Sequence, residues 1–157
     1  MQLRPLATAA AVLALAVPLS SCGFDYATDR DYTPAGGANN RDGVVDVLSA
    51  VVVSAAEGSG TFVASLSNND AADEKTLTGV SGDEGTTITA AEFEPIAIDA
   101  GGLVNLAEPA AGIVLTGEFE AGDVLPLTVD FGNGERITLN VPVVADDTGY
   151  WEGMDAS

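Results

Sequence analysis

Two neighbouring segments alternate strictly between apolar and polar positions. In VLPLTVDF (124–131), Leu125, Leu127, Val129 and Phe131 share one face. In ERITLNVPV (135–143), Ile137, Leu139, Val141 and Val143 share one face, with Arg136, Thr138 and Asn140 opposite. A period of two residues is the mark of a strand with one buried face. Gly132-Asn133-Gly134 lies between them, and Asn-Gly supplies the positive φ angles of a tight hairpin turn. Upstream, VVDVLSAVVVS (44–54) is Val-rich with only partial alternation. TFVASLS, TLTGVS, TTITA, PIAI, LVNL and GIVLTG follow, separated by turn residues at short intervals. GGLVNLAEPAAGIVLTGEF (101–119) reads as two short apolar strands around a Pro turn. The whole predicts an all-β sandwich or barrel, with no long helical pattern and no repeat.

The N-terminal end follows a different logic. Residues 1–5 carry one basic side chain, Arg4, and an Ala- and Leu-rich run follows from Leu6 to Leu19. That run is shorter than the roughly 20 apolar residues of a membrane span, and it reads as a signal peptide over 1–21. It closes in Leu19-Ser20-Ser21-Cys22, the pattern of a bacterial lipobox, in which the Cys22 thiol carries a diacylglycerol and becomes the mature N-terminus. An ordinary signal peptide with an incidental Cys is the alternative. With the chain's one Cys lipidated no disulfide can form, and several acyl chains on one residue make a stable anchor. The expected location is the outer face of a bacterial plasma membrane. Residues 22–42 are rich in Asp, Gly, Asn, Thr and Pro and are expected to form a flexible tether, its Tyr26 and Tyr32 solvated. The sandwich is expected over 43–144, and an acidic tail over 145–157 holds the only Trp.

Charge and missing chemistry narrow the function. The chain has 24 acidic against 5 basic residues and a net charge of −19. Such a surface repels phosphate backbones, which excludes nucleic acid as a partner. No His occurs anywhere, so Ser-His or Cys-His catalysis and His-ligated zinc are excluded. Lys75, the one lysine, sits in DEKT beside acids that hold it charged, and no Gly-rich loop resembles a phosphate cradle. Aromatic residues are too sparse to line a sugar cleft, so no enzyme and no cofactor are expected. Asn68, Asp70, Asp73 and Glu74 are close enough in sequence to offer oxygen ligands to Ca²⁺, though a solvated turn is the plainer reading. In the tail, Tyr150, Trp151 and Met154 either anchor a partner or fold back so that Trp151 caps an open end of the sandwich.

From Val44 to Val144 the order of motifs resembles the PCuAC family of periplasmic copper chaperones. Asn68, Leu77, Gly79, Gly101, Gly102, Leu115, Gly117, Gly122, Asp123, Pro126, Leu127, Phe131 and Val141-Pro142-Val143 match that series. The resemblance implies a cupredoxin-like Greek-key β-sandwich. It also implies a Cu(I) site of two His and two Met, which this chain departs from. The family's His-x-Met pair falls on Gly112 and Val114, and its other pair on the interval DEGTTITAAEFEPI (83–96), which holds neither residue. Met154 is the only Met beyond the initiator. Lipid-anchored, ligand-free relatives of this kind resemble the LpqE-type lipoproteins of actinobacteria, associated with respiratory machinery. The resulting expectation is a non-enzymatic binding module, tethered through Cys22, that docks on an extracytoplasmic membrane protein, respiratory oxidase machinery included. A copper chaperone with altered ligands and a calcium-dependent surface protein are the alternatives.

Overall fold

The computed structural model describes residues 36–147 and 149–157. The expected signal peptide, Cys22 and the part of the expected tether up to residue 35 lie outside them. Ten strands follow one another: β1 (Ala38–Asn40), β2 (Val45–Ala56), β3 (Ser59–Asn68), β4 (Lys75–Gly82), β5 (Thr89–Ala90), β6 (Ile96–Ile98), β7 (Leu103–Asn105), β8 (Ile113–Thr116), β9 (Val124–Phe131) and β10 (Arg136–Ala145). A 3₁₀ turn, Gly149–Trp151, comes after them. All nine segments read as strands from the sequence are strands here.

The strands form one sheet that closes on itself. Its order runs β2, β10, β9, β4, β5, β8, β3 and back to β2. The expected Greek-key β-sandwich is therefore also a flattened barrel, with β1, β6 and β7 added along its wall. Every pairing is antiparallel except β10 with β2, where Val143, Val144 and Ala145 lie beside Val52, Val53 and Ser54. The closure is thinnest at β5, which joins β4 by a single pair, Ser81 with Thr89, and β8 by two.

The strictly alternating hairpin forms, with Ile137 opposite Val129 and Leu139 opposite Leu127. All eight of its inward residues are buried. The turn differs from the one expected. Phe131 accepts from the Gly134 N–H and pairs with Glu135, so three residues make the loop. Only Gly134 takes a positive φ, +85°, while Asn133 does not. This is a type I turn closed by a left-handed glycine, which needs one such residue rather than two.

The partial alternation of β2 has a structural cause. Val45 and Val47 face the main core, and beyond a bulge Ala50 and Val52 do. The extra residue is Ser49, at φ +52°, whose N–H is held by Asn39 Oδ1 at 2.9 Å. Such a bulge exchanges the two faces of a strand. Gly37 lies so close to it that an added Cβ would stand 2.5 Å from the Ser49 carbonyl carbon. Residues 38–40, expected within the tether, instead form β1, because Asn39 and Gly37 fit against this bulge and Ala38 pairs with Ala50.

Two apolar clusters result. The main core fills the barrel with Phe62, Leu66, Leu77, Ile98, Ile113, Leu115 and Leu127, all fully buried. Each such side chain contributes about 1.5–3 kcal/mol relative to exposure. A second cluster, Val51, Val53 and Val63, lies on the outer face of β2 and β3 and is covered by Val144, Ala107, Trp151 and Met154.

Candidate functional site

Three places in the fold correspond to the chemistry raised by the sequence. The first surrounds β8. Gly112 stands exposed just before the strand at φ +63°, and Val114 lies half-buried within it, opposite Thr61 of β3. The Ala91 N–H donates to Val114 O at 2.8 Å, immediately after β5 has paired with β8. The two stretches to which the family resemblance assigns metal ligands are thus neighbours. They meet at Ala91 and Val114; Glu92, Phe93 and Glu94 follow Ala91 beside Gly79 and Val80. Phe93 packs against the main core. Glu92 and Glu94 are exposed and edge a shallow groove of about 660 Å³ floored by Gly79, Ala90 and Ala91. Carboxylates are hard donors, whereas Cu(I) takes thiolate, thioether or imidazole. The side chains at this place do not fit Cu(I).

The second place is the turn from Asn68 to Lys75. The sequence offers it as four oxygen ligands for Ca²⁺, and the structure uses it otherwise. Asn68 is 2% exposed, and its carboxamide Nδ2 donates to the carbonyls of Asp73, Ile98 and Asp99 at 2.9, 3.2 and 3.1 Å. Its Oδ1 accepts from the Asp70 N–H. The side chain is therefore fully engaged in tying β3 to β4 and β6, with no oxygen turned outward as a ligand. Asp70 accepts from Lys75 Nζ at 2.8 Å and from the N–H groups of Ala72 and Asp73. The Lys75 ammonium first, and then those two amides, hold its carboxyl down to about 2. The same contact raises Lys75. Asp73 and Glu74 are exposed, and among the described residues no three acids converge as a metal cluster. The turn is a strand junction closed by one amide and one ion pair.

The third place is the C-terminal segment. Trp151 and Met154 are half-buried against Val51, Val53 and Val63, while Tyr150 remains 71% exposed and meets the Trp151 ring edge-on at 4.8 Å. The segment folds back, in keeping with the capping alternative, but onto the outer wall of β2 and β3. The barrel end is not where it lands, because the bulge at Ser49 has placed an apolar strip on that wall. Asp155 fastens it, accepting from the Ala55 N–H at 2.8 Å and from Thr61 Oγ1 at 3.0 Å. The Ala156 N–H donates in turn to Thr61 Oγ1, and the Ser157 and Ser59 hydroxyls lie 2.6 Å apart. Burial pushes the Asp155 carboxyl up, but donors from Ser157, Ala55 and Thr61 outweigh it and hold the group below its ordinary value. Gly36 brings the N-terminal approach to the barrel against the same Trp151 ring, where an added Cβ would be 3.3 Å from Cζ2.

No family model matches the sequence, and no curated protein matches it. Solved structures do. The apo PCuAC domain from PmoF1 superposes with a TM-score of 0.55 at 18% identity, over 68% of this chain and 98% of that domain. The copper-bound PCuAC domain from PmoF2 gives 0.54 at 16%, over 68% and 97%. The chain has the fold of a PCuAC domain. At this identity the likeness is one of fold, and nearly the whole of each PCuAC domain is spanned.

Within this PCuAC fold, sequence reasoning placed Tyr150, Trp151 and Met154 together but missed Asp155, Thr61 and Ser59, which hold the segment. Asp155-Ala156-Ser157 has the spacing of an Asx turn, and Asp155 Oδ1 does accept from the Ser157 N–H at 2.9 Å. That signal shows the local turn. Nothing in the sequence points from it to Thr61, some ninety residues away.

Proposed function

We propose that this chain is a non-enzymatic binding module on a PCuAC scaffold, an LpqE-type form held at the outer face of a bacterial plasma membrane by a lipid on Cys22. It docks there on an extracytoplasmic membrane protein, and respiratory oxidase machinery is the partner class that the family resemblance favours. The observation that supports this most is the meeting of the two stretches at Ala91 and Val114. Two stretches assigned to copper ligands meet there through the Ala91 N–H on Val114 O, yet neither 83–96 nor 112–114 contains a Cys, Met or His. A retained scaffold without soft donors leaves its surface as the working part. Affinity capture from detergent-solubilised membranes, with the Cys22→Ser chain as comparison, tests the reading. Specific recovery of an integral membrane complex is expected. Recovery of unrelated abundant proteins alone would overturn it.

A second reading, copper carriage with altered ligands, draws on the likeness to a domain solved with copper bound. Its one soft donor in the described residues, the Met154 sulfur, belongs to a side chain packed on Val51, Val53 and Val63. Titration of the chain with Cu(I) against a competing chelator separates the readings, since tight one-to-one binding is expected only of the second.

A further inference from the structure

The C-terminal segment is attached to the barrel in an unusual way. Among the described residues no backbone–backbone hydrogen bond joins 149–157 to any strand. Among the described residues its attachment includes the Asp155 carboxylate on Ala55 and Thr61, the Ala156 N–H on Thr61 Oγ1, the Ser157–Ser59 hydroxyl contact, the Met154 N–H on Asp146, and the packing of Trp151 and Met154 on three valines. A peptide sits on a receptor in the same manner. Ala55 N–H and Thr61 Oγ–H form a carboxylate seat, and Val51, Val53 and Val63 form an apolar strip beside it. The connection back to β10 is short and passes Gly149, at φ +71°, with open space where a Cβ would stand.

We propose that this outer face of β2 and β3 is a docking site for the C-terminal segment of a second copy of the chain, the two copies exchanging segments reciprocally. The occupant is specified by the one seated in the structure: a Trp, a Met three residues on and a carboxylate immediately after it. A second copy carries that spacing by construction. After exchange each barrel holds its neighbour's segment through the same hydrogen bonds and the same packing that its own segment made. Only the connection at 146–149 and the entropy of association then set the balance. Near the pivot the Met154 N–H donates to Asp146 Oδ1 at 2.9 Å, a bond that exchange must break or rebuild between copies. Crowding of copies on one surface favours exchange by raising the local concentration of donors.

The proximity of Ser59 to Ser157 supplies the test. In a Cys22→Ser background, a Ser59→Cys chain is mixed with a Ser157→Cys chain and oxidised with diamide. The control pairs the Ser157→Cys chain with an Asn133→Cys chain, whose thiol lies exposed in the β9–β10 turn. A disulfide-linked heterodimer in excess of the control by about tenfold or more is expected, since seated thiols react at high effective concentration. Heterodimer no more abundant than in the control overturns the proposal. If either variant fails to fold, sedimentation of the unmodified mature chain decides. A dimer that grows with concentration and is absent from a chain ending at Asp147 supports exchange. A monomer at every concentration overturns it.

Discussion

Replacing Asn68 by Ala removes a side chain that is 2% exposed and engages three carbonyls and one amide. The two hydrogens on Nδ2 cannot serve three acceptors fully, so the equivalent of about three hydrogen bonds disappears, each worth about 0.5–1.5 kcal/mol net. The Ile98 carbonyl is the buried member, and leaving it unpaired adds about 1–3 kcal/mol. The other two carbonyls and the Asp70 N–H are part-buried and recover water, which offsets some of the loss. A destabilisation of about 2–4 kcal/mol results, a large share of the ~5–15 kcal/mol typical of a domain. For a barrel of this size it lowers Tm by about 10 °C. Urea denaturation followed by far-UV circular dichroism measures it, with Ca²⁺ present and absent. Equal destabilisation in the two conditions is expected, because the carboxamide is spent on the backbone. A destabilisation below about 1 kcal/mol would refute the hydrogen-bond reasoning. An Asn68→Asp chain that gains stability on adding Ca²⁺ would refute the assignment of this turn as a strand junction.

Other expectations are as specific. Trp151 is the chain's only Trp, so its emission reports the C-terminal segment alone: a blue-shifted spectrum is expected, and Trp151→Ala should cost about 1–2 kcal/mol for a half-buried ring. A red-shifted spectrum with unchanged melting would contradict the docked segment. The Asp70 carboxyl sits at about 2 in the fold against 3.8 ordinarily, so folding favours its ionised form. That stabilisation is complete above about pH 4 and disappears as pH falls through about 2. Asp70→Asn should therefore flatten the fall of Tm on acidification, and parallel curves for the two chains would count against the ion pair. Cys22→Ser should move the protein from the membrane fraction to the medium or leave it unprocessed, and a variant still processed and membrane-bound would place the anchor elsewhere.

How far the fold could be read depended on whether a strand kept one face inward along its length. The β9–β10 hairpin does so, and its buried face and turn position were legible, while its three-residue loop was not. β2 does not, because Ser49 inserts a residue and sends Val51 and Val53 to the outer wall. The Val-rich run looked only partly regular for that reason, and the strip that receives the C-terminal segment stayed hidden with it. β1 was lost to composition, since Ala38-Asn39-Asn40 has no apolar pattern and owes its place to hydrogen bonding with the bulge. At the candidate sites, residue types were legible and partners were not. Asn68 and Asp70 looked like ligands because a sequence shows their oxygens. It does not show that the Asn68 amide reaches across to Ile98 and Asp99, thirty residues later in the chain.

The parallel seam between β2 and β10 also sets the order of events in time. It joins Val52 to Val143, residues about ninety apart along the chain. Contacts over such a span slow folding, because the intervening loop must lose its freedom before the pair contributes anything. Until β10 has been made, the Val-rich edge of β2 that it will cover stays open to pairing with any other strand. Closure of this seam must await β10, the last strand of the chain. A chain interrupted anywhere before Arg136 lacks β10 and leaves that edge of β2 unpaired, a template for pairing with another strand.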